Sequence, residues 1–198
     1  MKQAERSNLI GLVAVLAVLF ALSLGWFLTT NARVGMSGWN LISSGLLIAV
    51  PLALLFGSIG VLVVAIRQHR DQGHVSGRLA KWIYWTPRIA GIVIAIFVAM
   101  FALDVFGMGG TVWQQIGAFL IHALPAILMG VVVVIAWRWE WVGAAAFLLA
   151  ALFFMRVLLG NPEGALGMLL LFSGPMLVIA VAFWLNWQWR KEIRLLLQ

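Results

Sequence analysis

The sequence predicts an all-α integral membrane protein with six transmembrane helices, and three observations support this prediction. Hydrophobic residues make up 64% of the 198 residues and charged residues only 10%, whereas a soluble domain is about 45–50% apolar and about 25% charged. The mean hydropathy is +1.08. Six apolar runs of about 20 residues each have the length that crosses a hydrocarbon core about 30 Å thick. A water-facing fold of this size could not bury so much apolar surface.

The six predicted spans follow one another along the whole chain. Because lipid offers no hydrogen-bond partners, each run must satisfy its own backbone groups as a helix. None of the runs alternates polar and apolar residues as the strands of a membrane barrel do. The spans are expected at about Leu9 to Leu28, Leu46 to Ile66, Trp85 to Phe106, Trp113 to Trp137, Trp141 to Leu159 and Leu166 to Leu185.

Basic residues are distributed unequally between the two sides of the predicted membrane. Six spans place both termini on one side, and 11 of the 13 Lys and Arg residues fall there. By the positive-inside rule, both termini are expected in the cytoplasm. The net charge of +7 is expected to attract anionic lipid headgroups to that face. The 11 basic residues are Lys2, Arg6, Arg67, Arg70, Arg78, Lys81, Arg88, Arg138, Arg190, Lys191 and Arg194.

One connection is much longer than the others. Residues 67–82 are predicted to form a basic cytoplasmic loop. This loop separates a two-helix N-terminal transmembrane hairpin, residues 1–66, from a four-helix transmembrane block with a basic C-terminal tail, residues 83–198. The first span is interpreted as a true membrane helix, because its apolar run exceeds the 7–15 residues of a signal-peptide core.

Two ionisable residues lie near the outer ends of predicted spans. Charged side chains inside the membrane are costly, so they are functional candidates. Asp104 in span three and Arg156 in span five are expected at similar depth, and we expect them to form an ion pair or to share a network with Glu163 or Arg33. Such a pair would lock the bundle, or it would belong to a substrate or proton site.

His122 is the only histidine within a predicted span. It lies nine residues after Trp113, which places it about 13 Å deep at 1.5 Å per residue. A histidine at this depth would suit a proton relay or a haem ligand, or it would bond a backbone carbonyl of a neighbouring helix beside Pro125. No second membrane histidine is present for a bis-histidine haem. The spacing of His69, Asp71 and His74 fits no recognised metal site, so no metal is predicted.

A further ion pair is expected at the inner interface. Arg88 follows Pro87, and Glu140 is close to Arg138 in sequence, so Arg88 and Glu140 could pair across spans three and four in a partly solvated setting. The sequence has no paired intramembrane carboxylates, no zinc-protease or nucleophile-elbow motif and no phosphate-binding loop. Cysteine is absent, which excludes disulfides and thiol chemistry. We therefore predict a protein that is not an enzyme and has no cofactor.

Several short motifs stand out in the sequence: residues 84–89 (YWTPRI), residues 101–106 (FALDVF), His122 with Pro125, and residues 136–143 (AWRWEWVG). Together they resemble a small family of uncharacterised bacterial four-helix integral membrane proteins. The motifs lie within about residues 79–159, and the resemblance implies a bacterial origin without implying an activity. It also suggests that Arg88, Asp104, His122, Arg138 and Glu140 belong to one unit. The two N-terminal spans and the sixth span lie outside the resemblance.

Three functional hypotheses remain open. The first is an accessory or structural subunit, or an assembly factor, of a larger complex in the bacterial inner membrane, with other membrane subunits as partners. The second is a small transporter or ion pathway that uses Asp104, His122 and Arg156. The third is a binder of a lipid, quinone or pigment in an apolar groove. No segment would carry a folded basic face, so no nucleic-acid partner is predicted.

Overall fold

The computed structural model describes residues 3–107, 109–160 and 165–197, and within these ranges the chain is helical with no strand. A 3₁₀ turn, Phe101–Gly107, and a π-helical turn, Leu169–Ser173, lie between α-helices. The α-helices are α1 (Gln3–Arg33), α2 (Gly38–Gln72), α3 (Gly77–Met100), α4 (Val112–Ala136), α5 (Glu140–Leu159), α6 (Ala165–Met168), α7 (Gly174–Gln188) and α8 (Arg190–Leu197).

Within the part of the chain that the structure describes, six segments are long and apolar enough to cross a membrane, which confirms the predicted fold class. The third span combines α3 with the 3₁₀ turn and covers Gly77–Gly107. The sixth combines α6, the π-helical turn and α7 and covers Ala165–Gln188. We call the end of the bundle where α1 begins and α7 ends the terminal end, and the other the opposite end.

The expected loop at residues 67–82 is mostly helical instead. Helix α2 continues to Gln72, and α3 already begins at Gly77. Gly73 ends α2 in the left-handed region, at φ 74°, and its N–H donates to the carbonyl of His69, as in a typical glycine C-cap. The prediction failed because Arg, Gln and Lys are good helix formers in water as well as near a membrane. The change from apolar to polar residues near Arg67 therefore did not mark the end of α2.

The main core lies among α3, α4, α5 and α7. Its members include Phe97 and Ile94 from α3, and Phe147 and Phe183 from α5 and α7. Two glycines allow the close approach of these helices. A Cβ at Gly91 would lie 2.7 Å from Val133 Cγ2, and one at Gly143 would lie 2.7 Å from Ala136 Cβ.

Helix α1 is peripheral to this core. None of its most apolar 18-residue window is buried, whereas α2 contributes the buried residues Leu52, Leu55 and Leu62. Helix α1 packs along α2, and the approach is close at two glycines: a Cβ at Gly45 would lie 2.9 Å from Leu28 Cδ2, and one at Gly60 would lie 3.2 Å from Leu16 Cδ1. The first span therefore presents most of its surface to its surroundings.

Helix α8 folds back beneath the terminal end of the bundle. Its residue Ile193 is 1% exposed and packs with Val75, Ala80 and Ile83. This contact ties the C-terminal segment to the turn between α2 and α3. As a result, charged groups on α8 lie next to residues of spans two, three and five.

Candidate functional site

A buried polar cluster at the terminal end is centred on Arg88. This side chain is 0% exposed, and its Cζ lies 3.7 Å from the centroid of the Tyr84 ring and 6.0 Å from that of Phe183. Its Nη1 donates to the Tyr84 carbonyl and, at 3.4 Å, to Asn186 Oδ1. Aromatic faces stabilise a desolvated guanidinium by cation–π attraction, which offsets part of the cost of burial.

Glu140 supplies the negative charge of the cluster. It begins α5 and is 4% exposed, and a carboxylate at a helix N-terminus is favoured by the helix dipole. Its Oε1 lies 3.7 Å from Arg88 Nη2 and accepts a hydrogen bond from Arg194 Nη2 at 3.3 Å. The cluster therefore holds two guanidinium groups and one carboxylate, and it joins α3, α5, α7 and α8.

Arg88 keeps unused donors within this arrangement. Neither its Nε nor its Nη2 has a hydrogen-bond partner among the described residues, because the 3.7 Å contact with Glu140 is electrostatic and too long for a hydrogen bond. Burying a charge that is only partly hydrogen-bonded is costly. This arrangement therefore carries a high free-energy cost of burial. We call it the Arg88 cluster and define it as Tyr84, Arg88, Glu140, Asn186 and Arg194.

Pro87 explains the place of Asn186 in the cluster. A proline has no N–H, so the carbonyl of Ile83, four residues earlier, has no partner in its own helix. Asn186 Nδ2 donates to that carbonyl at 2.6 Å and to the Ala182 carbonyl at 3.0 Å. One asparagine amide therefore satisfies the carbonyl freed by Pro87 while its oxygen accepts from Arg88.

The expected pairing of Arg88 with Glu140 is found, but two parts of that expectation are wrong. The pair joins spans three and five, because Glu140 is the first residue of α5. It is also buried, with side-chain exposures of 0% and 5%, because α7 and α8 close over it. Arg138 lies outside the cluster: it is exposed in the turn before α5, and its Cζ is 5.8 Å from the Trp139 ring centroid.

The structure does not bring Asp104 and Arg156 together as an ion pair. Both side chains are exposed, and neither belongs to any ion pair of the described residues. Asp104 lies on the 3₁₀ turn, which buries Ala102 and Val105. The three-residue period of this turn leaves Asp104 on the outer side. The suggested network partner Glu163 lies outside the described residues.

His122 lies on the exposed face of α4. Its Nδ1 is 2.8 Å from the carbonyl oxygen of Ala118, one turn earlier on the same helix. The expected partner was a carbonyl of a neighbouring helix, so the structure corrects that expectation. The histidine is not directed into the bundle, because Ala123, Ala126 and Met129 form the buried stripe of this part of α4.

A second polar group at the terminal end anchors α8. Glu192 Oε1 accepts a hydrogen bond from the Val75 N–H at 2.6 Å, and its Oε2 lies 3.5 Å from His69 Nε2. The His69 ring stacks on Trp189, with centroids 4.4 Å apart. Among the described residues, no group of three or more His, Cys, Asp or Glu side chains is placed to hold a metal ion.

Sequence reasoning did not identify Asn186 and Arg194 as site residues. Asn186 carried a usable signal, because it is a single amide near the end of a long apolar run, and such residues in membrane helices are generally hydrogen-bonded across helices. The sequence gives no such signal for Arg194, because a position in a basic tail is typical of a solvated residue. Its role depends on the backward turn at Trp189, which no local pattern predicted.

Comparison with known proteins identifies a family but no activity. A family model described as a domain of unknown function, DUF7670, matches residues 76–194. The match includes all five residues of the Arg88 cluster and extends through the sixth span, which the sequence resemblance had left out. No curated protein matches the chain, and no solved structure does. Because the match covers more than half of the chain, this protein belongs to the DUF7670 family of uncharacterised proteins.

Proposed function

We propose that this protein is a non-enzymatic accessory or structural subunit, or an assembly factor, of a larger membrane complex. The observation that carries the proposal is the position of His122. It lies within a membrane-spanning helix, yet its side chain is exposed on the outside of the bundle.

This position is costly unless a second protein covers it. Ionisable residues in membrane helices almost always face the interior of a bundle or a water-filled cavity. With Nδ1–H donating to the Ala118 carbonyl, a neutral His122 ring leaves Nε2 as an acceptor. A transmembrane helix of another subunit that carries a hydrogen-bond donor at this depth would satisfy it.

The surface beside His122 suits a helix. One turn further along α4, Pro125 begins an apolar groove between α4 and α5 with a volume of about 300 Å³. Its walls include Leu128 and Met129 from α4 and Phe153 and Phe154 from α5. Helices associate in lipid through close packing of this kind together with a few interhelical hydrogen bonds.

The transporter hypothesis receives less support from the geometry. Asp104, His122 and Arg156 all have exposed side chains and do not line a common interior path. The space between α3, α4, α5 and α7 is filled by the apolar core.

As part of the same proposal, the terminal end faces the cytoplasm of a bacterial inner membrane, since most basic residues lie there.

The experiment compares His122 variants by native electrophoresis of gently solubilised membranes. We expect the wild-type chain to migrate in a complex with another protein, His122→Leu to release it, and His122→Gln to retain it in part, since glutamine can hydrogen-bond at the same place. Leu120→Ala is the matched control, because Leu120 is an exposed apolar residue of the same helix, at 55%. Equal behaviour of His122→Leu and wild type would contradict the proposal.

A further inference from the structure

An apolar groove at the terminal end runs between α1 and the pair α2 and α3. It has a volume of about 500 Å³ and is lined by apolar residues of α1 such as Leu16 and Phe20, and by Phe56 and Gly57 of α2. The groove exists because α1 meets the bundle mainly through α2. Its size lies in the range of ligand pockets, about 300–1,000 Å³.

A polar mouth of about 370 Å³ adjoins this groove. Five residues line both spaces, so the two are continuous: Leu9, Leu12, Val64, Leu79 and Trp82. The mouth is also lined by the polar residues Arg67, Arg78, Asn8 and Gln72. An apolar groove that opens into a polar, basic mouth matches the acyl chains and the headgroup of a phospholipid.

The charge of the mouth is uncompensated. Its one carboxylate, Asp71, is bound by Arg70 at 3.1 Å. Arg67 and Arg78 are in none of the ion pairs of the described ranges 3–107, 109–160 and 165–197. The mouth therefore has two arginines available for an anion, and arginine forms strong paired hydrogen bonds to phosphate.

Trp82 indicates the depth at which the two spaces meet. It is 60% exposed and lines both the groove and the mouth. Tryptophan prefers the level of the lipid headgroups, so the mouth lies at headgroup depth and the groove lies at the depth of the acyl chains.

We propose that this groove and its mouth form a binding site for a glycerophospholipid with an anionic headgroup. One acyl chain lies along α1 in the groove, and the phosphate lies between Arg67 and Arg78. The site is independent of the His122 surface on α4 and does not require a second protein.

The test is native mass spectrometry of the full chain incubated with phosphatidylglycerol or phosphatidylcholine. We expect one phosphatidylglycerol to be retained in preference to phosphatidylcholine. A basic residue near an anionic surface is worth about 1 kcal/mol, which is about a fivefold change, so Arg67→Gln with Arg78→Gln should weaken phosphatidylglycerol binding about 30-fold. Binding of phosphatidylcholine should weaken less, because its choline cation already neutralises the phosphate charge.

Two further variants separate this site from general attraction to the membrane. A side chain at Gly57 would enter open space, since a Cβ at that position would have no atom within 4 Å, so Gly57→Phe should fill the groove and weaken binding of both lipids. Gly11→Phe is its control, because Gly11 is equally open on α1 but does not line the groove. Arg190→Gln with Lys191→Gln removes two charges at the same end and should leave binding unchanged.

Three results would overturn the proposal. The first is an equal loss of binding in the Arg190 and Lys191 variant, which would indicate diffuse electrostatic attraction. The second is undiminished binding in Gly57→Phe. The third is equal retention of phosphatidylglycerol and phosphatidylcholine by the wild-type chain.

Discussion

Replacing Glu140 by glutamine removes the carboxylate of the Arg88 cluster while keeping the size of the side chain. Arg88 would then be a fully buried cation with no carboxylate in reach, since Glu140 is its only ion-pair partner among the described residues. Exposures of 0% and 5% for the two side chains mean that solvent screens this pair little. Breaking a buried pair from one side costs about 3–5 kcal/mol of unfolding free energy.

Replacing Arg88 instead of Glu140 should lower the free energy of unfolding by a smaller amount. After Arg88→Met, Glu140 still accepts the hydrogen bond from Arg194 at 3.3 Å, and Arg194 is 59% exposed in its side chain. We expect a loss on the order of 1–3 kcal/mol. The double variant should be more stable than the sum of the two losses predicts, because residues in one network couple by about 0.5–3 kcal/mol.

The assay is denaturant-induced unfolding of the detergent-solubilised protein, followed by tryptophan fluorescence. Arg156→Gln is the control, because Arg156 is exposed and in none of the described ion pairs, so its effect should stay within about 0.5 kcal/mol. Equal losses for Glu140→Gln and Arg88→Met, or strictly additive losses in the double variant, would refute the reasoning.

Two more predictions concern helix packing. Asn186→Leu should lower the free energy of unfolding by about 1–3 kcal/mol, because it leaves the Ile83 carbonyl buried and unpaired. Adding Pro87→Ala should restore part of the loss by supplying an N–H. Chemical unfolding of both variants checks this, and a double variant no more stable than Asn186→Leu would contradict it. Gly143→Ala should cost about 1–3 kcal/mol through overpacking, because its Cβ would lie 2.9 Å from Phe183. Gly117→Ala, which meets no atom within 4 Å, should not destabilise in the same assay.

The fold class and the six spans followed directly from hydrophobicity, because lipid leaves a long apolar run no alternative to a helix. Helix ends were less predictable. The end of α2 depends on Gly73 and the start of α3 depends on a turn of a few residues, whereas the polarity change near Arg67 marks only where the helix leaves the apolar region.

The candidate site was predicted in part. The high cost of burying Arg88 and Glu140 identified two of its members, but their burial depends on α8 folding back, and that turn has no local sequence signal. Asp104 and Arg156 were expected to pair from similar depth alone. Depth does not determine the direction of a side chain around its helix, and the 3₁₀ turn at Asp104 changed that direction.

We propose that another subunit covers the His122 face, and native mass spectrometry of the chain extracted gently from its own membrane tests this proposal most directly. We expect a complex heavier than the 21.7 kDa chain by the mass of a different protein, and we expect His122→Leu to lose that added mass. A bare chain, or a mass that is a whole multiple of the chain, would contradict it.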